Sequence, residues 1–139
     1  MKVAIVYAST TGNTEAMANA IKEAVAAAGA EVTFGTADSA DSAAVTASDV
    51  VLLGSPTMGD EVLEDTMEEF YNGIESALSG KKVALFGSYD WGDGQWLRDW
   101  EERVKGAGAT IAAENLMINL TPDDEGIEKC KAWAKSAIA

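Results

Sequence analysis

Strict alternation of strand-like and helix-like runs predicts an α/β fold, a three-layer doubly wound sandwich of five parallel strands with helices on both faces. Two observations carry that prediction. Short apolar runs recur along the chain, three of them unbroken, as strands buried on both faces require. Between them lie stretches whose apolar residues recur at three- and four-residue spacing, most of them closed by a glycine. At 139 residues with 47% hydrophobic content, a single domain spanning residues 1–139 is expected, large enough to bury a core without disulfides or metals.

Each element follows in order. Residues 3–7 are the first strand. Met17, Ala20, Ile21, Ala24, Val25 and Ala28 then make one helical stripe, stopped by Gly29. Residues 32–34 are the second strand, and residues 39–47 a short polar segment of weak periodicity. Residues 50–53 are the third strand. Leu63, Met67, Phe70, Ile74 and Leu78 form the next stripe, ending near Gly80. After a fourth strand at residues 83–86, Leu97, Trp100, Val104 and Ala107 mark a helix stopped by Gly106 and Gly108. The fifth strand starts at Thr110 and runs to about Ile118. Glu114 and Asn115 interrupt it, so it is bent, bulged or split. Ile127, Cys130, Ala134, Ala137 and Ile138 line the last helix, where Cys130 reads as a small packing residue.

Composition removes whole classes of function. There is no histidine and one cysteine, which excludes Ser–His and Cys–His catalysis and leaves no metal site to expect. Any chemistry is expected to come from a bound cofactor. A net charge of −13 argues against nucleic acid and anionic membranes, and favours basic protein partners. The lone cysteine, the strand pattern starting directly after Met1-Lys2 and the lack of a long apolar run lead to a cytoplasmic protein, off the membrane, as the expectation.

On a parallel sheet, ligands bind beyond the carboxyl ends of the strands at the switch in strand order. Three loops are expected there. The first, Ser9-Thr10-Thr11-Gly12-Asn13-Thr14, joins a strand to a helix start, where free N–H groups and the helix dipole favour an anion. Its side chains add hydroxyls and an amide but no Lys or Arg, so a phosphate held by neutral donors is the natural guest. Read alone, the same run is also an ordinary capped turn. The second loop, Gly54-Ser55-Pro56-Thr57-Met58-Gly59-Asp60-Glu61, carries an apolar Met58 either at the loop tip or filling core space. The third, Gly87-Ser88-Tyr89-Asp90-Trp91-Gly92-Asp93-Gly94, carries Trp91 as a stacking platform or a partner contact. Trp96, Trp100 and Trp133 lie in helical stretches and read as packing residues. Together the loops suit a flat, aromatic, phosphorylated cofactor.

In these three loops, taken in order, the chain resembles the short-chain flavodoxins over essentially its whole length. The resemblance implies the flavodoxin-like strand order 2-1-3-4-5 and a non-covalently bound FMN. It implies that Ser9, Thr10, Thr11, Asn13 and Thr14 hold the phosphate, with Gly12 in the same turn. Trp91 would stack on the outer face of the isoalloxazine and Met58 cover the inner one. The Gly59–Asp60 peptide would turn its carbonyl toward flavin N5 in the neutral semiquinone. Ser88, Tyr89 and Gly92 would meet the polar edge of the ring, and Ser55, Pro56, Thr57 and Asp90 complete the candidate cofactor-binding set. Position 90 departs from the pattern: relatives usually have Gly there, and Asp threatens backbone strain while placing a carboxylate beside the ring.

The implied function is a low-potential one-electron carrier, not an enzyme, cycling mainly between neutral semiquinone and anionic hydroquinone. Asp60, Glu61, Glu64, Asp65, Glu68 and Glu69, with Asp90 and Asp93, would oppose the anion. A like charge at roughly 5 Å opposes by about 3 kcal/mol at an effective dielectric of about 20. The same acids are expected to dock basic redox partner proteins, with a monomer as the working form. Three rivals differ in testable ways. A flavin-dependent NAD(P)H/quinone or azo reductase on the same fold would oxidise NAD(P)H directly. A phosphoryl-receiver module needs an acidic pair after the first strand and an Asp ending the third, where this chain has Tyr7-Ala8-Ser9 and Gly54-Ser55. A cofactor-free interaction domain would purify colourless.

Overall fold

The computed structural model describes residues 1–58 and 62–139. Its elements are β1 (Lys2–Tyr7), α1 (Asn13–Ala27), β2 (Glu31–Thr36), α2 (Ser42–Thr46), β3 (Val50–Gly54), α3 (Asp65–Ile74) with a 3-10 turn (Glu75–Ala77), β4 (Lys82–Tyr89), α4 (Gln95–Gly106), β5 (Thr110–Ile111), β6 (Leu116–Asn119) and α5 (Asp124–Ala137). The strands form one parallel sheet in the order β2-β1-β3-β4-β5, with β6 also paired to β4. The chain starts in the middle, builds outward to β2, then crosses back through β3. That reversal puts the switch point between β1 and β3, whose carboxyl ends the first two loops leave.

Two cores lie on the two faces of the sheet. α1 and α5 cover one with Met17, Ile21, Val25, Cys130 and Trp133 against Val3, Ile5, Leu52 and Phe86. α3 and α4 cover the other with Met67, Tyr71, Ile74, Trp96 and Trp100 against Val6, Val51, Leu53 and Leu85. Alternate residues of β1, β3 and β4 serve opposite cores, which is why these strands read as unbroken apolar runs. Trp96, Trp100 and Trp133 are buried, as their helical positions predict. Cys130 is fully buried, and burial pushes its thiol up to about 11, so it packs as a neutral group.

The helix starts follow their sequences. Asp41 accepts the Ala43 N–H, Asp123 accepts that of Gly126, and Glu64 accepts those of Thr66 and Met67. Arg103 of α4 reaches α3 and grips both carboxylate oxygens of Glu68 at 2.8 and 2.7 Å, with its guanidinium 4.7 Å from the Tyr71 ring centre.

One expectation is narrowed and three are revised. The fifth strand is split: β5 pairs with Lys82–Val83 and β6 with Phe86–Tyr89, the register shifting by two residues across the gap. The polar residues Glu114 and Asn115 sit in that gap, and the Trp133 indole donates to the Glu114 carbonyl at 2.5 Å. β4 runs on through Gly87, Ser88 and Tyr89, because β6 pairs with all three; the third loop therefore begins at Asp90. The segment at 39–47 reduces to the five residues of α2. Ala28 lies past the end of α1 and is exposed, while Tyr71, outside the predicted stripe, is fully buried.

Candidate functional site

The carboxyl ends of β1, β3 and β4 are tied into one platform. The Ala8 N–H donates to Gly54 O at 2.9 Å, Ser55 N–H to Phe86 O at 3.1 Å and Thr57 N–H to Ser88 O at 3.1 Å. These bonds continue the ladder beyond the strands and set the three predicted loops side by side.

In the first loop, Gly12 caps α1 with φ +91°, a conformation that glycine adopts without steric cost. No side chain caps the helix from that position. Instead, Ser9 Oγ accepts the Gly12 and Glu15 N–H groups at 3.1 and 3.3 Å. Among the described residues, the Thr10, Thr11, Asn13 and Thr14 N–H groups have no partner within the chain. Thr10 and Thr11 are exposed. Thr14, 1% exposed, shares a 2.7 Å hydrogen bond between its Oγ1 and Ser88 Oγ, which pins the helix start to β4. Asn13 Oδ1 accepts from Thr121 Oγ1 at 2.9 Å. The result is a turn of unpaired donors, uncharged, at the positive end of a fifteen-residue helix.

The second loop is more internal than its sequence suggests. Ser55 is fully buried. Its hydroxyl donates to Pro56 O at 2.9 Å and accepts from Glu64 N at 3.0 Å, while its carbonyl accepts the Trp96 indole N–H at 3.1 Å. These bonds give Ser55 a structural post beneath the platform. Pro56 is buried too. The buried Thr57 Oγ1 has no partner. Met58 is half-buried and forms an isolated antiparallel bridge with Val62 through reciprocal 3.0 Å bonds. Gly59, Asp60 and Glu61 lie outside the described residues, and with them the expected peptide turn at Gly59–Asp60.

In the third loop, Tyr89 ends β4 and packs 6.0 Å from the Trp96 ring. Asp90 is exposed and is not among the residues with positive φ, so the carboxylate brings no backbone strain of the kind expected for a glycine replacement. Trp91 is 50% exposed. Gly92 turns the chain with φ +89°. Arg98 clasps Asp93 through its carboxylate and its carbonyl, both at 2.9 Å.

Sequence reasoning missed a fourth loop at this edge. The strand's expected end near Ile118 lies within a residue of the observed Asn119, but the loop that follows it is not among the three expected at this edge. Asn119 Nδ2 and Leu120 N both donate to Tyr89 O, at 3.1 and 2.7 Å, and Thr121 reaches Asn13. Composition also hid the pairing of charges. Arg98 answers Asp93, and Arg103 answers Glu68 and, at 3.8 Å, Glu75, so fewer carboxylates stand unpaired than their run in the sequence implies.

The donor set fits FMN. Unpaired backbone N–H groups, threonine hydroxyls and the asparagine amide suit a phosphate, the orphaned Thr57 hydroxyl lies buried beside β4, and Met58 and Trp91 supply apolar surface on neighbouring loops. Fold and edge together are those of an α/β protein whose switch-point loops suit a phosphorylated aromatic cofactor. Comparison with known proteins narrows this. A family model described as Flavodoxin matches residues 5–133. The flavodoxin of Megasphaera elsdenii is 46% identical over 136 residues, 97% of each chain, and that of Clostridium beijerinckii is 44% identical over 132 residues, 94% of this chain and 95% of the relative. The solution structure of two-electron reduced Megasphaera elsdenii flavodoxin superposes with a TM-score of 0.88 over 97% of each chain at 46% identity. The chain belongs to the flavodoxin family. It is an FMN-binding electron carrier rather than an enzyme, and the reductase alternative is not favoured.

Among the described residues, no helix is long and apolar enough to cross a membrane.

Proposed function

We propose that this flavodoxin is a low-potential one-electron carrier, working mainly between the neutral semiquinone and the anionic hydroquinone of FMN and exchanging electrons with basic partner proteins. The turn Ser9–Thr14 would hold the phosphate, Thr57 and Ser88 would meet the cofactor's polar atoms, and Trp91 and Met58 would cover the ring. FMN supplies the redox chemistry. The chain's own part is to hold it, cover it and set the charge around it. The carrying observation is the first loop: unpaired donors at a helix start, with no cationic side chain in the loop to offset an added negative charge.

Asp90 stands out among the remaining acids as an exposed carboxylate beside Trp91. Its charge opposes the form of the cofactor with one more electron. Salt and solvent reduce the unscreened Coulomb value to a fraction. Asp90→Gly is expected to raise the potential of the second one-electron step by some tens of millivolts, where about 59 mV corresponds to a tenfold change in relative binding. An anaerobic spectroelectrochemical titration of wild type and variant reads this directly. The same titration tests the larger reading, which requires a long-lived blue neutral radical and two well-separated steps. A single two-electron transition would contradict it. Docking by charge further requires that transfer to a basic protein slow steeply as salt rises.

A further inference from the structure

Leu120 is the one described non-glycine residue with positive φ, at +57°, and it is 51% exposed. Its N–H donates to Tyr89 O at 2.7 Å, so the left-handed residue stands where the chain leaves β6 beside the end of β4. A leucine is not needed. Glycine or asparagine adopts this conformation with less strain, and an exposed apolar side chain recovers little burial energy in return. Strain retained without a packing return points to a contact outside the chain.

The surroundings say what kind. Exposed large hydrophobic residues are few among the described residues: Met1, Val62, Trp91 and Leu120. The last two stand on neighbouring loops, since Leu120 is anchored to Tyr89, two residues before Trp91. Beside Leu120 an open cleft of about 340 Å³ is walled by Tyr89, Asn119, Thr121, Asp123 and Glu125, with Lys129 as its cation. Asp123 is engaged through Oδ1 with the Gly126 N–H; Asp124 follows it in the chain and Asp90 follows the cleft residue Tyr89, and both are exposed. An apolar knob next to an acidic cleft complements a protein surface that pairs an apolar patch with Lys or Arg side chains.

We propose that Leu120 is an apolar anchor for the basic redox partner proteins of this carrier, seated at the rim of the cofactor site with partner cations reaching the cleft of Asp123 and Glu125. This inference rests on the proposed docking of basic partners. Charge brings the partner in; Leu120 holds it, in the manner of a desolvated interface contact.

The test uses the FMN-loaded protein as wild type, Leu120→Asn and Leu120→Met, reduced anaerobically. Electron transfer is timed to two probes, a basic c-type cytochrome and ferricyanide, over a salt series, and melting temperatures are recorded. With Leu120→Asn, transfer to the cytochrome should slow by about five- to tenfold, while the ferricyanide rate stays unchanged and the melting temperature holds or rises. The ratio of variant to wild-type rates should persist at high salt, since an apolar contact is not screened. Leu120→Met should restore most of the rate. Equal cytochrome rates in wild type and Leu120→Asn would overturn the anchor, as would a clear fall in melting temperature, which would assign Leu120 to packing. A wild-type cytochrome rate indifferent to salt would instead count against the underlying reading of basic partners.

Discussion

Trp91→Ala is expected to weaken FMN binding by about five- to a hundredfold while leaving the melting temperature of the apoprotein nearly unchanged. The two halves of the expectation come from one fact. Trp91 is half exposed on a loop between β4 and α4, so the fold gains little from its burial, whereas a stacked ring is worth about 1–3 kcal/mol to an aromatic ligand. Titrating apoprotein with FMN by quenching of flavin fluorescence gives the affinity, and calorimetric melting gives the stability. A Trp91→Phe variant should fall between wild type and alanine. Unaltered affinity in Trp91→Ala would remove the indole from the site; a large loss of apoprotein stability would make it a packing residue.

The second large effect is on stability alone. Gly87→Ala is expected to cost at least about 3 kcal/mol, on the order of 10 °C in melting temperature. A Cβ at position 87 would be driven into the Ser55 carbonyl oxygen and would stand 2.9 Å from Trp96 Cζ2. Neither can give way. Ser55 is bonded to Phe86 O through its N–H and to Trp96 through its carbonyl, and Trp96 is 1% exposed. The close approach of β4 to the second loop thus depends on the missing side chain. Gly73→Ala is the matching control: its Cβ would meet nothing within 4 Å on the exposed face of α3, and the helix should gain slightly. A Gly87→Ala protein as stable as wild type, measured by calorimetric melting, would contradict this account of how the platform is built.

Much of this was readable from residue pattern. Met17, Ile21 and Val25 announce α1 because an amphipathic stripe is a local property, and the three middle strands announce themselves because burial on both faces leaves no polar residue to confuse the reading. The candidate phosphate turn is legible for a similar reason: strand, donor-rich loop and helix are contiguous. What escaped is non-local. Ser88 reads as loop until β6 pairs with it. Ser55 gives no sign in sequence that Glu64 and Trp96 bond its hydroxyl and its carbonyl. Asp93 and Glu68 read as free charge until Arg98 and Arg103 fold back onto them. The left-handed turn at Leu120 is invisible because leucine gives no signal for it, which is also what makes the residue informative. The feared strain at Asp90 rested on a substitution pattern, and the chain meets the turn with Gly92 instead.

The central claim is that uncharged donors in the turn Ser9–Thr14 carry the phosphate of FMN and most of the selectivity for it. Parallel calorimetric titrations of the apoprotein with FMN and with riboflavin test it most directly. Two or more hydrogen bonds to a charged phosphate predict that riboflavin binds at least about a hundredfold more weakly, and that removing the exposed hydroxyl with Thr11→Val narrows the gap. Equal affinities for the two flavins would contradict the claim.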